Sequence, residues 1–216
     1  MKILVFDTET TGLPTKRNPS IYETGCWPHI VQLSYILYDT ESHKMLIEHD
    51  WIIKLPDTVN ISPEAEAMHG ISKQISLSKG IDIKEGLELL DICMEKADVM
   101  VGHNIKFDKQ LIIVENIRNM RHSYLKKGTI AEYCTMKHGA PLCNIMRPSK
   151  YSPGETYLKF PSQSELHQHL FGTVPQGTHN SWVDILICLR CYCKMTLDID
   201  LYLTNHKFKK RFNAYV

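Results

Sequence analysis

The sequence predicts a mixed α/β fold: one sheet, antiparallel over its first strands and parallel over its last, with helices on its faces. Three observations carry this. Apolar, strand-forming runs open the chain at 2–7, 30–39 and 44–54. From residue 81 onward, helical and strand patterns alternate. The chain has 216 residues, room for one ordinary domain, and no repeat, low-complexity stretch or linker divides it.

KILVFD (2–7) is the first strand, followed by a long loop holding Pro14, Pro19, Gly25 and Pro28. IVQLSYILYD (30–39) and KMLIEHDWIIK (44–54) flank the polar stretch TESH and predict a hairpin. Residues 81–97 place Ile81, Leu87, Leu90, Cys93, Met94 and Ala97 at helical spacing, with acids on the other face. DVMVGHN (98–104) predicts a short buried strand, and 105–120 a helix with Asn104 as its N-cap. TIAEYCTM (129–136) is expected to add a strand, and 162–172 a helix stopped by Gly172. Residues 181–195 predict an apolar helix, so that residues 1–200 form a single domain followed by a basic segment, 201–216. Between them, 138–161 is too long for an ordinary connection, and long loops are often functional.

Hydrophobic residues make up 43% and charged residues 23%, which excludes disorder, collagen and fibres. Lys+Arg 25 against Asp+Glu 24 leaves a net charge of +1, so any nucleic-acid role must rest on a local patch. No run approaches the length of a membrane helix, and MKILVFDTET puts charges where a signal peptide needs an apolar stretch. An intracellular, cytoplasmic protein without membrane association is expected, with a nuclear or viral origin left open. Seven cysteines, an odd number, fit reduced thiols better than a disulfide framework. Cys188, Cys191 and Cys193 could ligate zinc, but no second loop pair supplies the remaining ligands, and core packing is the better reading.

Chemistry concentrates in three segments. In FDTETTGLP (6–14), Asp7 and Glu9 leave a strand by the same face, roughly 6.6 Å apart along the chain. Carboxylates so close raise each other's pKa, and a divalent metal such as Mg²⁺ or Mn²⁺ removes the repulsion. In GHNIKFD (102–108), Asp108 falls one turn inside a helix. In HNSWVD (179–184), His179 and Asp184 are five apart, about 140° around a helix, so His179 must hang off the helix entrance. Asp184 has Trp182, Val183, Ile185 and Leu186 around it, expensive company for a carboxylate unless it is paired or holds a cation.

With these segments in that order, the chain resembles the DEDDh, or DnaQ-like, 3′–5′ exonucleases over roughly residues 2–195. SPEAEAMHGIS (62–72) and YLKFPSQSELHQHLFG (157–172) are similar to stretches of the proofreading subunit of bacterial replicative DNA polymerases. Ser181 stands where that family often has alanine, and the insertion around 138–156 departs from it. The resemblance implies an RNase H-like fold: a mixed five-stranded sheet, three antiparallel then two parallel strands, flanked by helices. It also implies phosphodiester hydrolysis by two Mg²⁺ or Mn²⁺ ions about 3.5–4 Å apart. Asp7, Glu9 and Asp184 would hold one ion, Asp7 would bridge to the second, and Asp108 would support the second. His179 would be the general base; an imidazole base must be neutral, so activity is expected to rise between about pH 6 and 8.

Under the same resemblance, Thr10, Thr11 and Gly12 would meet the terminal nucleotide through backbone groups, and Asn104 would stand beside them. Leu13, His69 and Phe107 would pack on the last bases, against core packing for Phe107 and helix capping for His69. Residues 117–159 hold eight Lys/Arg against Glu132 and Glu155, with Tyr124, Tyr133, Tyr151 and Tyr157 among them, a pattern suited to phosphate tracking and base stacking. The expected substrate is the 3′ end of single-stranded or frayed DNA, released as 5′-monophosphates, with any polymerase partner acting in trans. An exoribonuclease, a non-catalytic nucleic-acid or polymerase-binding module and a zinc-stabilised interaction domain are the alternatives.

Overall fold

The computed structural model describes residues 1–122, 125 and 130–214. Five strands form the central sheet: β1 (Lys2–Thr10), β2 (Ile30–Asp39), β3 (Lys44–Ile52), β4 (Val99–Gly102) and β5 (Ala131–Cys134). Their order is β3-β2-β1-β4-β5. The β1–β2 and β2–β3 pairs are antiparallel, and β1–β4 and β4–β5 are parallel, as the sequence implied. Helices α1 (Pro63–His69), α2 (Lys73–Lys79), α3 (Ile83–Lys96) and α4 (Ile105–Arg118) precede β5. After it come α5 (Thr135–Cys143), a hairpin of β6 (Met146–Pro148) and β7 (Thr156–Leu158), α6 (Gln163–Phe171) and α7 (Ser181–Leu197).

Alternation along β1 sorts its side chains between two cores. Ile3 and Val5 pack with α7, whereas Leu4 and Phe6 pack with α3 and α4. The same period carries Asp7 and Glu9 onto the α7 side of the sheet and Thr8 onto the α4 side. Every residue of α7 from Ser181 to Cys193 is buried, which is why its sequence shows no polar stripe. Cys188, Cys191 and Cys193 are core residues of this helix, and burial pushes the Cys193 thiol up to about 12. Among the described residues, no helix is long and apolar enough to cross a membrane.

Local signals explain several boundaries. Ser62 accepts from the Ala65 N–H at the start of α1, and Gly70 closes that helix at φ 74°, where a side chain would be strained. Ser162 and Glu165 form a reciprocal capping box on α6. Asn104 corrects the sequence reading: it precedes α4 in the left-handed conformation, φ 72°, with no side-chain cap. A capping residue needs extended backbone, and the tight turn between β4 and α4 denies it; asparagine tolerates that left-handed geometry. The 138–161 segment is not one open connection: it contains most of α5 and the β6–β7 hairpin. Tyr124, Lys126 and Lys127 of the expected basic patch lie outside the described residues.

The basic segment from residue 201 folds back on the core as α8 (Leu201–Thr204) and α9 (His206–Asn213). Phe208 and Phe212 are buried in the cluster that α7 builds. The buried Arg190 makes a two-point ion pair with Asp200, at 2.8 Å from each of two nitrogens, and its guanidinium lies 3.8 Å from the centroid of the Phe171 ring. Lys207 and Arg211 reach back to Glu48 on β3. Phe208→Ala is therefore expected to cost about 3–5 kcal/mol of folding stability, read as a lower urea midpoint, because it empties a fully enclosed site.

Candidate active site

The sheet places the acids before any side-chain choice is made. Asp7 and Glu9 end β1 on the α7 face, and α7 enters beside them carrying Asp184 in its first turn. One carboxylate oxygen from each of Asp7, Glu9 and Asp184 lies within 4.8 Å of the other two. Asp108, in the first turn of α4, is buried nearby but turns toward Thr8: its Oδ1 accepts the Thr8 hydroxyl at 2.7 Å and the Thr8 N–H at 3.2 Å. It stands behind the three converging groups rather than among them.

Four carboxylates in this space depress one another's ionisation. Burial pushes Asp7 well above the ordinary carboxylate range, and Asp108, Asp184 and Glu9 push it further. Glu9 is raised to about 8, first by burial and then by Asp184 and Asp108. Burial also raises Asp108, opposed by its Thr8 hydrogen bonds, and Asp184, opposed by the His179 N–H. Among the described residues, no lysine or arginine forms an ion pair with any of the four. Oxygen-only donors, repelling one another and lacking a protein cation, fit a hard divalent ion.

His179 sits just before α7 at φ 69°, with an exposed side chain, while its own N–H donates to Asp184 Oδ2 at 3.0 Å. The same residue thus steadies the acid through its backbone and leaves its ring free. The helix start is held by a polar network that the sequence reading missed. Buried Gln32 and Ser34 on β2 face it: Gln32 Oε1 accepts the Ser181 N–H at 3.2 Å, and the Ser34 and Ser181 hydroxyls meet at 2.6 Å. Asp50 on β3 accepts from both Gln32 and Ser34, at 2.7 and 2.8 Å. Ser181, the departure from the family's usual alanine, is explained by this pairing. A hint was available, since glutamine and serine interrupt an otherwise apolar strand on its α7 face.

The turn after β1 is tied from several sides. The Thr10 hydroxyl donates to the Gly12 carbonyl at 2.7 Å, and Thr11 exchanges hydrogen bonds with the His29 backbone. His69 is buried; its Nδ1 accepts the Ile71 N–H at 3.0 Å, which leaves Nε2–H to donate to the Thr10 carbonyl at 3.2 Å. Both ring nitrogens are thus engaged within the protein. Leu13 is 83% exposed beside this turn. Phe107 is half-buried, its ring 6.3 Å from that of Trp27, and Asn104 is exposed. His103, also unread in the sequence, locks the floor: its ring bonds Thr135 Oγ1 at 3.0 Å and the Pro161 carbonyl at 3.1 Å, and burial pushes it down to about 4. It is half-buried in the β4–α4 turn.

A mixed sheet with acids at the carboxyl end of its central parallel strand is the architecture of an RNase H-like nuclease. Residues 4–192 match the family described as Exonuclease, and the chain belongs to that family. No curated protein matches the sequence. Among solved structures, E. coli Exonuclease I in complex with a dT13 oligonucleotide is 16% identical with a TM-score of 0.65, covering 99% of this chain and 45% of that one. Its complex with a dA16 oligonucleotide gives 17%, 0.65, 99% and 45%. The zinc-bound form of the ExoI–ssDNA complex gives 16%, 0.63, 97% and 42%. The chain therefore spans less than half the length of these structures.

The raised carboxylates set a pH dependence. As pH rises above the ordinary carboxylate range, the unfolded chain releases these protons while the folded chain still holds them. Metal-free stability should then fall steadily as pH rises through about 8, where Glu9 titrates. Thermal unfolding in chelator should show this slope, Asp184→Asn should flatten it, and Mg²⁺ or Mn²⁺ should raise the midpoint more at pH 8 than at pH 6.

Proposed function

We propose that this chain is a 3′–5′ exonuclease that removes nucleotides from single-stranded or frayed DNA ends as 5′-monophosphates, with two Mg²⁺ or Mn²⁺ ions. The observation that carries this is the convergence of Asp7, Glu9 and Asp184 within 4.8 Å, with no lysine or arginine paired to them among the described residues. The order of the acids and His179, read with the Exonuclease family match, supports the DEDDh chemistry and its direction. The dT13 and dA16 complexes of Exonuclease I support DNA as the polymer. The stretches that resemble proofreading subunits support service to a separate polymerase. Seven free thiols fit a reducing, intracellular setting.

Asp7, Glu9 and Asp184 would hold the metal, with Asp108 behind them. When bound, the metal supplies positive charge and Lewis acidity for the scissile phosphate. The rest falls to the chain. His179 takes the proton of the attacking water; the new P–O bond forms as the bond from phosphorus to the preceding 3′-oxygen breaks, and that oxygen leaves with a proton from solvent. His179's N–H keeps Asp184 aimed inward, and Thr8 keeps Asp108 from swinging away. The Thr10–Gly12 turn offers backbone groups to the terminal nucleotide, with exposed Leu13 against its base. His69 positions that turn through the Thr10 carbonyl, and Phe107 and Asn104 border the same entrance.

Labelled DNA and RNA strands incubated with each metal and with chelator test the reading. DNA shortened from its 3′ end, with no cleavage in chelator, is the expected result. Faster shortening of RNA would transfer the substrate to that polymer, and a chain inert toward both would be a binding module. Asp7→Asn should abolish cleavage, and His179→Ala should lower turnover about 10²–10⁴-fold. Wild-type turnover in that histidine variant would exclude it as the base.

A further inference from the structure

The β6–β7 hairpin belongs to none of the hydrophobic clusters, and its two faces differ. Register pairs Arg147 with Tyr157 and Met146 with Leu158. Alternation then puts Arg147, Tyr157 and Lys159 on one face, with Lys150 at the start of the turn. Arg147, Pro148, Ser149, Lys150, Tyr157 and Lys159 line a hollow of about 490 Å³. Tyr157 is 49% exposed, and Tyr151 in the turn is 96% exposed. Lys159 is paired with Glu165, whereas Arg147 and Lys150 form no ion pair among the described residues. Rings and free cations on a ribbon outside the core do not serve the fold.

The hairpin also springs from the edge of the active site. The Lys159 N–H closes its base on the Ile145 carbonyl at 2.8 Å. Two residues on, the Pro161 carbonyl accepts from His103 beside Asn104, and the Gln163 side chain donates to the Asp184 carbonyl. A strand that ends among four carboxylates meets repulsion there, so its approach needs positive charge nearby.

We propose that this face guides single-stranded DNA on the 5′ side of the terminal nucleotide, Tyr157 and Tyr151 stacking on bases while Arg147 and Lys150 follow phosphates. The inference rests on the proposed function for the identity of the strand. Its chemistry is that of a sequence-tolerant single-strand binder: rings for the π-faces common to all bases, and cations for the backbone.

Binding, measured apart from hydrolysis, tests it. Fluorescence anisotropy in Ca²⁺ would compare a thymidine trimer with a thymidine dodecamer, which extends further on the 5′ side. The expected result is that Tyr157→Ala weakens the dodecamer about tenfold and leaves the trimer unchanged. Arg147→Gln with Lys150→Gln should reduce the slope of log affinity against log salt by about 1.4. Dodecamer binding and salt slope equal to wild type in all these variants would overturn the proposal. So would a uridine dodecamer that binds more tightly than the thymidine one, or a dimer in sedimentation that Tyr157→Ala abolishes while strand binding is kept. Cleavage of the trimer reads the exonuclease chemistry separately: hairpin variants should cleave it at the wild-type rate. A wild-type chain that cleaves the trimer but gains no affinity with length would sink the guide and leave the chemistry standing.

Discussion

Mutual repulsion among Asp7, Glu9, Asp108 and Asp184 is the constraint on which the other features of this molecule depend. Covalent geometry fixes part of it, because two acids on alternate residues of one strand leave by one face. The remainder is imposed by packing: α7, buried from Ser181 to Cys193, cannot back away from the sheet to relieve Asp184. Burial then removes the water that would screen the charges, which is why Asp7 and Glu9 are pushed up so far. The fold concentrates its electrostatic tension at this one spot. A site in that condition favours whatever neutralises it, protons when the pH is low and a divalent cation when it is not.

Holding such a site open requires rigid supports, and each support comes from a different part of the chain. Gln32, Ser34 and Asp50 pin the start of α7 from the antiparallel half of the sheet. Thr8 restrains Asp108 from the strand itself. His69 and His29 fix the turn after β1, and His103 ties the start of α4 to the segment leading into α6. Three of these supports are histidines that hydrogen-bond through the ring or the backbone and take no part in the proton chemistry assigned to His179. Position decides the difference: His69 and His103 have both ring nitrogens engaged inside the protein, whereas the His179 ring stands exposed and only its backbone is committed.

How much of this was legible in the sequence follows from the range of each signal. Apolar, strand-forming runs over 2–7, 30–39 and 44–54 marked the antiparallel half of the sheet, and the alternation of helical and strand patterns after residue 81 marked its parallel half, because both are local consequences of burial. Asp7, Glu9 and Asp184, which the fold brings together, were readable because they stand in motifs that resemble those of the DEDDh exonucleases. Asn104 misled because capping propensity is a local preference, and the strand-to-helix turn overrode it with left-handed backbone. The Gln32–Ser34–Ser181 contact was invisible for the opposite reason: its partners are about 150 residues apart in the chain, and nothing in a serine's neighbours announces another serine facing it. The packing of α9 was hidden by its lysines, since Phe208 and Phe212 are two rings in a segment that otherwise looks fully solvated.

Charge needs the same distinction between sequence and surface. A count along residues 117–159 treats every cation alike, but the folded chain divides them by use. Arg118 spends its guanidinium on the carbonyls of Thr24, Trp27 and Pro28 and on Glu115, and Arg121 pairs with Asp91. Tyr133 is likewise withdrawn, packed between His138 and Tyr192. Among the described residues Lys137, Arg147 and Lys150 remain without an ion pair, the last two beside Tyr157 on a ribbon rooted where α6 meets Asp184. A net charge near zero therefore conceals a dipole at the working edge: a carboxylate cluster that repels polyanions, bordered by a small cationic and aromatic surface able to hold one. Such an arrangement separates two tasks. In the proposed function the acids act at the end of a strand, while the hairpin sets how long a strand must be to gain from it.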